Sequence, residues 1–268
     1  MIRTVLASTF DWSVFWRYLW PPSALDNPLI RNGLIVTIVM ALAAQFLGVV
    51  IGVVAGLGQS SRLLPVRLLF KTYILYFRGT PLTIQLAMLY YGSAAIGLYS
   101  FPDIHVAGVT ISGLLQAGII GLGVNEGAYM AEIVRAGVIG IDDGQWEAAT
   151  AIGMRNLQTL RWVVLPQAAR IIVPPLGNEF NQMLKSTTLV VILGGAELFN
   201  AYEQINSRIF RPFELFLAAS FYYLALTAIW SFFQRRLERH MDVTARSVAA
   251  AQPSALRRLL AGRPGGLP

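Results

Sequence analysis

The sequence predicts an all-α, polytopic integral membrane protein with about five transmembrane helices. Three observations carry this. Hydrophobic residues make up 55% of the 268 and charged residues 13%, against about 25% charged in an ordinary soluble domain, and the mean hydropathy is +0.57. Uncharged stretches long enough to cross a bilayer recur along the chain. Basic residues flank those stretches instead of gathering into one stripe, so the net charge of +7 does not describe a nucleic-acid surface. The chain has no cysteine, and its two histidines, His105 and His240, lie far apart in sequence. Disulfide and thiol chemistry are therefore excluded, and no metal site is expected.

Residues 1–31 read as a lead segment on the outer side of the membrane. Its apolar run, Val5 to Phe10, is short and is cut by Asp11, unlike a cleaved signal peptide. The stretch FDWSVFWRYLWPP (Phe10 to Pro22) is rich in Trp and Tyr, which favour the bilayer interface. A strip lying in that interface and a simple lead-in to the first span both fit it. A spanning helix needs about 20 mostly apolar residues. Gly33 to Gly58 meets this without a charge. Gly79 to Pro102 is also uncharged and, with TYILYF before it, predicts a second span over 70–95. Val106 to Asn125 is the third. Ile171 to Ala196 is the fourth, interrupted by Glu179 and Lys185, and Leu215 to Phe233 is the fifth.

Lys and Arg are enriched in cytoplasmic loops. One side of the predicted topology holds Arg3, Arg17, Arg31, Arg208 and Arg211, five in all. The other holds three after span 1, four after span 3 and seven in the tail, fourteen in all. The C-terminus and the loop over residues 139–170 are therefore expected in the cytoplasm and the N-terminus outside. Residues 32–242 form the membrane domain. Residues 243–268, rich in Ala, Pro, Gly and Arg, read as a mobile basic tail.

The stretch GQWEAATAIGMRNLQTLRWVVLP (Gly144 to Pro166) is polar for so apolar a chain. Asp142 followed by Gln145 predicts a capping box and a helix start. Gly153 suits the left-handed position that ends a helix. A second short helix is predicted to stop before Leu165-Pro166. Glu147, Ala148, Ala151 and Ile152 share a face of the first helix. That face can admit another backbone closely, or it can rest on the membrane surface; spacing alone leaves both open.

EAA, three residues, Gly, nine residues, Val, one residue, Leu-Pro resembles the cytoplasmic signature of the membrane subunits of type I ABC importers. RGTPLTIQL (Arg78–Leu86), AYMAEIVRAG (Ala128–Gly137), LPQAARIIVPPLGNEF (Leu165–Phe180) and RPFELFLAASFYYL (Arg211–Leu224) look like the polar-amino-acid uptake branch. The resemblance spans roughly residues 30–242. It implies a MetI-like permease fold in the bacterial plasma (inner) membrane. It also implies a coupling loop that docks on a separate ABC ATPase, with Glu147, Ala148, Ala149, Gly153, Leu165 and Pro166 as its signature positions. The implied partners are two ATPase subunits, which carry the ATP and Mg²⁺, a second membrane subunit, an extracytoplasmic solute-binding protein and the lipid bilayer. The chain lacks a phosphate-binding Gly-x4-Gly-Lys-Ser/Thr, consistent with a transport subunit and not an enzyme. Two departures stand out: Asp142-Asp143 precede the Gly-Gln pair where Pro-Lys is common, and Ser186 follows Lys185 where Asp is common.

Charges within spans usually face a bundle interior or a watery path. Arg78, Glu132, Glu179 and Lys185 read as structural intramembrane charges. Glu126, flanked by Gly123 and Gly127, and the amides Gln85, Asn178 and Asn181 are candidates for the translocation path or for substrate contact. Interhelical hydrogen bonds fit each of them equally well. Two rival functions compete with this reading. A membrane-embedded enzyme would need clustered catalytic groups, which the sequence lacks. An ATP-independent carrier or channel would transport without a partner.

Overall fold

A computed structural model describes residues 10–106 and 108–250. It is mostly helical, and five long helical passes alternate in direction. α1 (Trp12–Leu19) and α2 (Pro21–Leu25) precede the first pass, α3 (Pro28–Gly58). The second pass is α4 (Leu64–Gly79), α5 (Leu82–Ala87), a π-helical stretch (Met88–Gly92) and α6 (Ser93–Ala95). A hairpin of β1 (Ile104–Val106) and β2 (Val109–Ile111) leads into the third pass, α7 (Gly113–Ile139). α8 (Asp143–Ala151) and α9 (Asn156–Thr159) form the following loop. A π-helical stretch (Leu160–Val164) then leads into the fourth pass, α10 (Leu165–Ser186), extended by a 3-10 segment (Thr187–Leu193). α11 (Leu198–Ile209) precedes the fifth pass, α12 (Pro212–Ala250). The helix thus enters the segment predicted as a mobile tail, and the rest of that segment lies outside the described residues, as do the first nine residues. By length and apolarity alone, α3 and residues Pro212–Arg239 of α12 qualify as membrane spans among the described residues.

Asp11 caps α1: its carboxylate accepts the Ser13 hydroxyl at 2.6 Å and the amide N–H groups of Ser13 and Val14 at 2.9 and 3.3 Å. The Ser13 hydroxyl, then the Val14 amide, holds the Asp11 carboxyl below the usual carboxylate range. Phe15 is buried against Phe10 and Phe221. Trp12, Trp16 and Trp20, spaced by four, face outward and are at least half exposed. The Tyr202 and Tyr222 hydroxyls donate to the carbonyls of Tyr18 and Leu19, at 2.8 and 3.1 Å, fastening α1 to α11 and α12.

α3 starts with Asn27 as cap and Pro28 at its first position, where the missing N–H costs nothing. Its 31 residues reach about 46 Å at 1.5 Å per residue, more than the about 30 Å of a hydrocarbon core. α3 runs parallel to α7, in a seam of small residues. A Cβ on Gly48 would come within 2.7 Å of Glu126 Cβ, and one on Gly52 within 3.0 Å of the Met130 carbonyl carbon. Close approach of this kind is how small residues hold membrane helices together.

The structure corrects two boundaries read from the sequence and breaks the second pass where Pro81 leads one to expect a kink. The third pass was expected over Val106 to Asn125, but residues 104–111 pair antiparallel, Ile104 with Ile111 and His105 with Thr110. β-branched residues around Gly108 (φ 80°) suit a tight hairpin. The helix begins only after Ser112, whose hydroxyl caps the Leu115 amide at 3.2 Å, and it continues past Glu126, Glu132 and Arg135 to Ile139. The second pass breaks at Thr80 (φ −119°, ψ 150°), since Pro81 disfavours a helical residue before it. Finally, the second loop helix does not stop before Leu165-Pro166. The π-helical stretch, in which the Leu165 amide bonds to the Leu160 carbonyl, carries the chain straight into α10, with Pro166 near its start. Pro at that end needs no N–H partner.

The main core lies where α3, α5, α7 and α10 meet, around Met40, Leu86, Leu122, Phe180 and Leu184. A second core, around Phe15, Ile30, Leu198, Tyr202 and Leu215, joins α1 and α11 to the starts of α3 and α12.

Candidate functional site

The loop of α8 and α9 is built from strong local signals. The Asp142 carboxylate accepts the Gly144 amide at 2.7 Å, so Asp142 caps α8 as its sequence predicts. Gln145 does not close the capping box; its Oε1 instead accepts from Gln167 Nε2 at 3.2 Å. α8 ends in a Schellman motif. Gly153 takes φ +82°, its amide donates to the Thr150 carbonyl at 2.9 Å, and the Met154 amide donates to the Ala149 carbonyl at 3.0 Å. The Arg155 amide donates to Gln158 Oε1 at 2.8 Å, starting α9.

Trp146 packs against Ile141, Val164 and Ala168, seating α8 on the base of α10. Ala149 also faces inward and is buried. The remaining signature residues, Glu147, Ala148, Gly153, Leu165 and Pro166, are exposed. Ile152, Leu157 and Trp162 project from the same unit, each at least two-thirds exposed. Large apolar side chains standing out of a capped, anchored unit mark an interaction surface. Sequence reasoning missed Trp146 as the anchor, although it stands inside the GQWEAA signature.

The polar groups within the bundle form separate clusters. Glu126 is buried and accepts from Gln45 Nε2 at 3.1 Å; Gln45 Oε1 has no protein partner. Gln45, one of the few polar residues between Gly33 and Gly58, was readable as a lone polar position in an apolar stretch and was missed. Gln85 is buried and holds the break before Pro81 together. Its Nε2 donates to the carbonyls of Phe77 and Thr80 at 2.9 and 3.0 Å, and its Oε1 accepts from Asn125 Nδ2 at 2.9 Å. Asn125, which also donates to the Phe77 carbonyl at 3.0 Å, was missed too.

Asn178 and Asn181 lie along the seam of α10 with α12. Asn178 Oδ1 accepts from Gln234 Nε2 at 3.0 Å, and Asn181 Nδ2 donates to Ser231 Oγ at 3.1 Å. Trp230 Nε1 donates to the Gly177 carbonyl at 2.8 Å in the same seam. Glu132 pairs with Arg135 on its own helix at 2.8 Å. Arg78 stands over the Tyr129 ring at 5.4 Å. Glu179, half-buried on α10, lies within electrostatic reach of both Arg78 and Glu126. Lys185 sits in the last turn of α10, exposed. The structure thus brings Glu126, Glu179 and Arg78 into one neighbourhood, keeps Gln85 at the helix break, and places both asparagines at a helix seam.

The chain is similar to known proteins over most of its length. A family described as "Binding-protein-dependent transport system inner membrane component" matches residues 48–243. The arginine transport system permease protein ArgU of Corynebacterium glutamicum is 35% identical over 261 residues, covering 93% of this chain and 80% of that protein. The glutamine transport system permease protein GlnP of Escherichia coli K12 is 32% identical, covering 87% of this chain and 99% of that protein. Among solved structures, an amino acid ABC transporter crystallised with histidines superposes with a TM-score of 0.71 at 34% identity, over 82% of this chain and 97% of that one. The MetNI methionine ABC transporter shares the fold, with a TM-score of 0.64 at 20% identity, over 80% of this chain and 96% of that one. The chain belongs to the binding-protein-dependent transport system inner membrane components, the family of ABC-importer permease subunits.

Proposed function

We propose that this permease moves a polar amino acid, or a related small solute, into the cytoplasm by alternating access. In this reading it crosses the bacterial inner membrane five times, with the N-terminus outside and α8 and α9 in the cytoplasm. Two ABC ATPase subunits bind and hydrolyse ATP with Mg²⁺. A second membrane subunit, either another copy or a homologue, completes the path, because five helices enclose a path poorly. An extracytoplasmic solute-binding protein delivers the substrate. The relatives named for arginine and glutamine transport support the substrate class.

The observation that carries this reading is mechanical. α8 is clamped to the base of α10 by Trp146, with Ala149 buried, while Glu147, Ala148 and Ile152 stay outward. From Asn156 to Ser186 the backbone is helical without interruption, so a push on the loop travels along α10 as along a rod. α10 carries Glu179 and holds α12 through Trp230, Ser231 and Gln234. Pro174 and Pro175 inside α10 remove two helix bonds and give that rod a place to bend. ATPase closure thereby reaches the polar centre of the bundle through one continuous element.

The test is copurification in mild detergent, followed by crosslinking from cysteines placed at Glu147 and Ala148. Crosslinks to an ATPase subunit are expected. Transport by the chain reconstituted alone, with no ATPase present, would replace this reading with an ATP-independent carrier.

A further inference from the structure

We propose that a cleft between α4 and α7, at the end of the bundle that carries α8, binds the phosphate headgroup of an anionic phospholipid. The cleft has a volume of about 670 Å³. Its polar wall combines Lys71 and Arg78 of α4 with Glu132 and Arg135 of α7, and Gln59 and Ser60 lie just beyond the end of α3. The one carboxylate is already occupied, since Arg135 Nη2 and Nε donate to Glu132 Oε2 at 2.8 and 3.3 Å. Among the described residues, neither Lys71 nor Arg78 has a carboxylate within 4.0 Å. Arg78 feels Glu132 and Glu179 at longer range, and neither carboxylate is within ion-pair distance of it. The site therefore offers an anion two cations that form no ion pair among the described residues.

The surroundings select a lipid as the source of that anion. Leu64, Leu68, Lys71, Leu75 and Arg78 recur at spacings of three and four, so they form one stripe along α4. All five are exposed. Such a stripe lays apolar surface beside each cation, as an acyl chain beneath a phosphate requires. The cleft's other wall rises from Glu132 to Ile139, the last turns of α7, with Ile139 exposed. Helix ends are where headgroups lie, and basic pockets between membrane helices on the cytoplasmic side suit anionic headgroups. The proposal does not rest on the transport reading; it needs only that the bundle sits in a bilayer.

The experiment places the full-length chain, purified with the subunits that accompany it, in nanodiscs of equal phosphatidylglycerol and phosphatidylcholine. The lipids retained after a detergent wash are then measured by mass spectrometry. A basic residue near the membrane surface favours an anionic lipid by about fivefold, so two predict an enrichment of phosphatidylglycerol of about twenty-five-fold. K71Q/R78Q should bring the ratio near parity, and K71R/R78K should keep it. If the double variant does not elute as a folded particle, K71Q alone, at an exposed position, should lower the enrichment about fivefold. Excess inorganic phosphate should leave the retained lipid in place; displacement by phosphate would make the cleft a soluble-anion site and overturn the lipid assignment. Parity in the unmodified protein, or enrichment that survives loss of the cations, overturns the proposal altogether. A partner subunit covering the cleft would appear as that parity.

Discussion

Gly153 has open space where a Cβ would go, with nothing within 4 Å, so a substitution there is resisted by backbone angle alone. At φ +82° an L-residue pays about 1–2 kcal/mol, and a β-branched one more. Gly153→Val should therefore fray the end of α8 without disturbing the membrane helices. Substrate-stimulated ATPase activity of the reconstituted complex is expected to fall severalfold, while membrane insertion and yield stay unchanged. Wild-type coupling in that variant would remove α8 from the transmission path. Asn125 presents the opposite case, a buried side chain whose bonds decide its worth. Asn125→Leu strips a donor from the Phe77 carbonyl and from Gln85 Oε1. Unpaired buried acceptors cost about 1–3 kcal/mol each, but polar bonds within membranes average nearer 0.6 kcal/mol. Gln85 Nε2 also serves the Phe77 carbonyl, so the lower figure governs. The expected result is a small drop in the detergent melting temperature, with the break at Thr80-Pro81 loosened. A drop no larger than that of a surface substitution would mean the knot is not structural.

At the scale of elements, the α3–α7 seam is the tightest contact in the bundle and the clearest to test. Gly52→Leu puts a branched side chain where even a Cβ meets the Met130 backbone. Neither helix can yield without moving its neighbours, so overpacking of about 1–3 kcal/mol should lower the melting temperature and the yield. Leu42→Ala, on an exposed face of the same helix, should leave both unchanged. The glycines of this seam were visible in the sequence, but their partners were not, because helical spacing fixes a face and not what packs on it. The same limit explains the other gains and misses. α3 and the apolar part of α12 were legible because uniform apolarity is a signal by itself. The hairpin of Ile104 to Ile111 was absorbed into a span because apolar β-branched residues satisfy both readings. α8 was legible down to its terminal glycine, because caps are local chemistry. The continuity of α9 with α10 was hidden, since proline usually stops a helix and here stands two residues past a π-helical stretch. Glu126 was found as a lone charge in an apolar run, while its partner Gln45 depends on a contact across 81 residues.

For the whole molecule, the decisive question is whether α10 crosses the membrane. It carries Glu179, Lys185 and two internal prolines, so hydropathy argues weakly for it. The packing argues strongly. α10 runs antiparallel to α7, with Ile172 beside Gly137 and Val190 beside Gly118, and antiparallel to α12 through Gly177 and Gln234. Glu179 is half-buried within electrostatic reach of Arg78 and Glu126, and Asn178 and Asn181 bond to α12; Lys185, in the last turn of α10, is exposed. A helix held on two sides in this way spans at a cost that its own composition overstates. α8 and α11 must then lie on opposite sides. Because the chain has no cysteine, a single introduced one reports alone. Thr150 on α8 and Ser207 on α11 are both exposed. In spheroplasts, a membrane-impermeant maleimide should label Ser207→Cys directly and Thr150→Cys only after permeabilisation. The basic residues dictate that sense, fourteen on the α8 side against five on the other. Labelling of both without permeabilisation would mean that α10 re-enters instead of crossing. The lever from α8 to Glu179 would then have to act along the membrane surface, and the alternating-access reading would lose its central element.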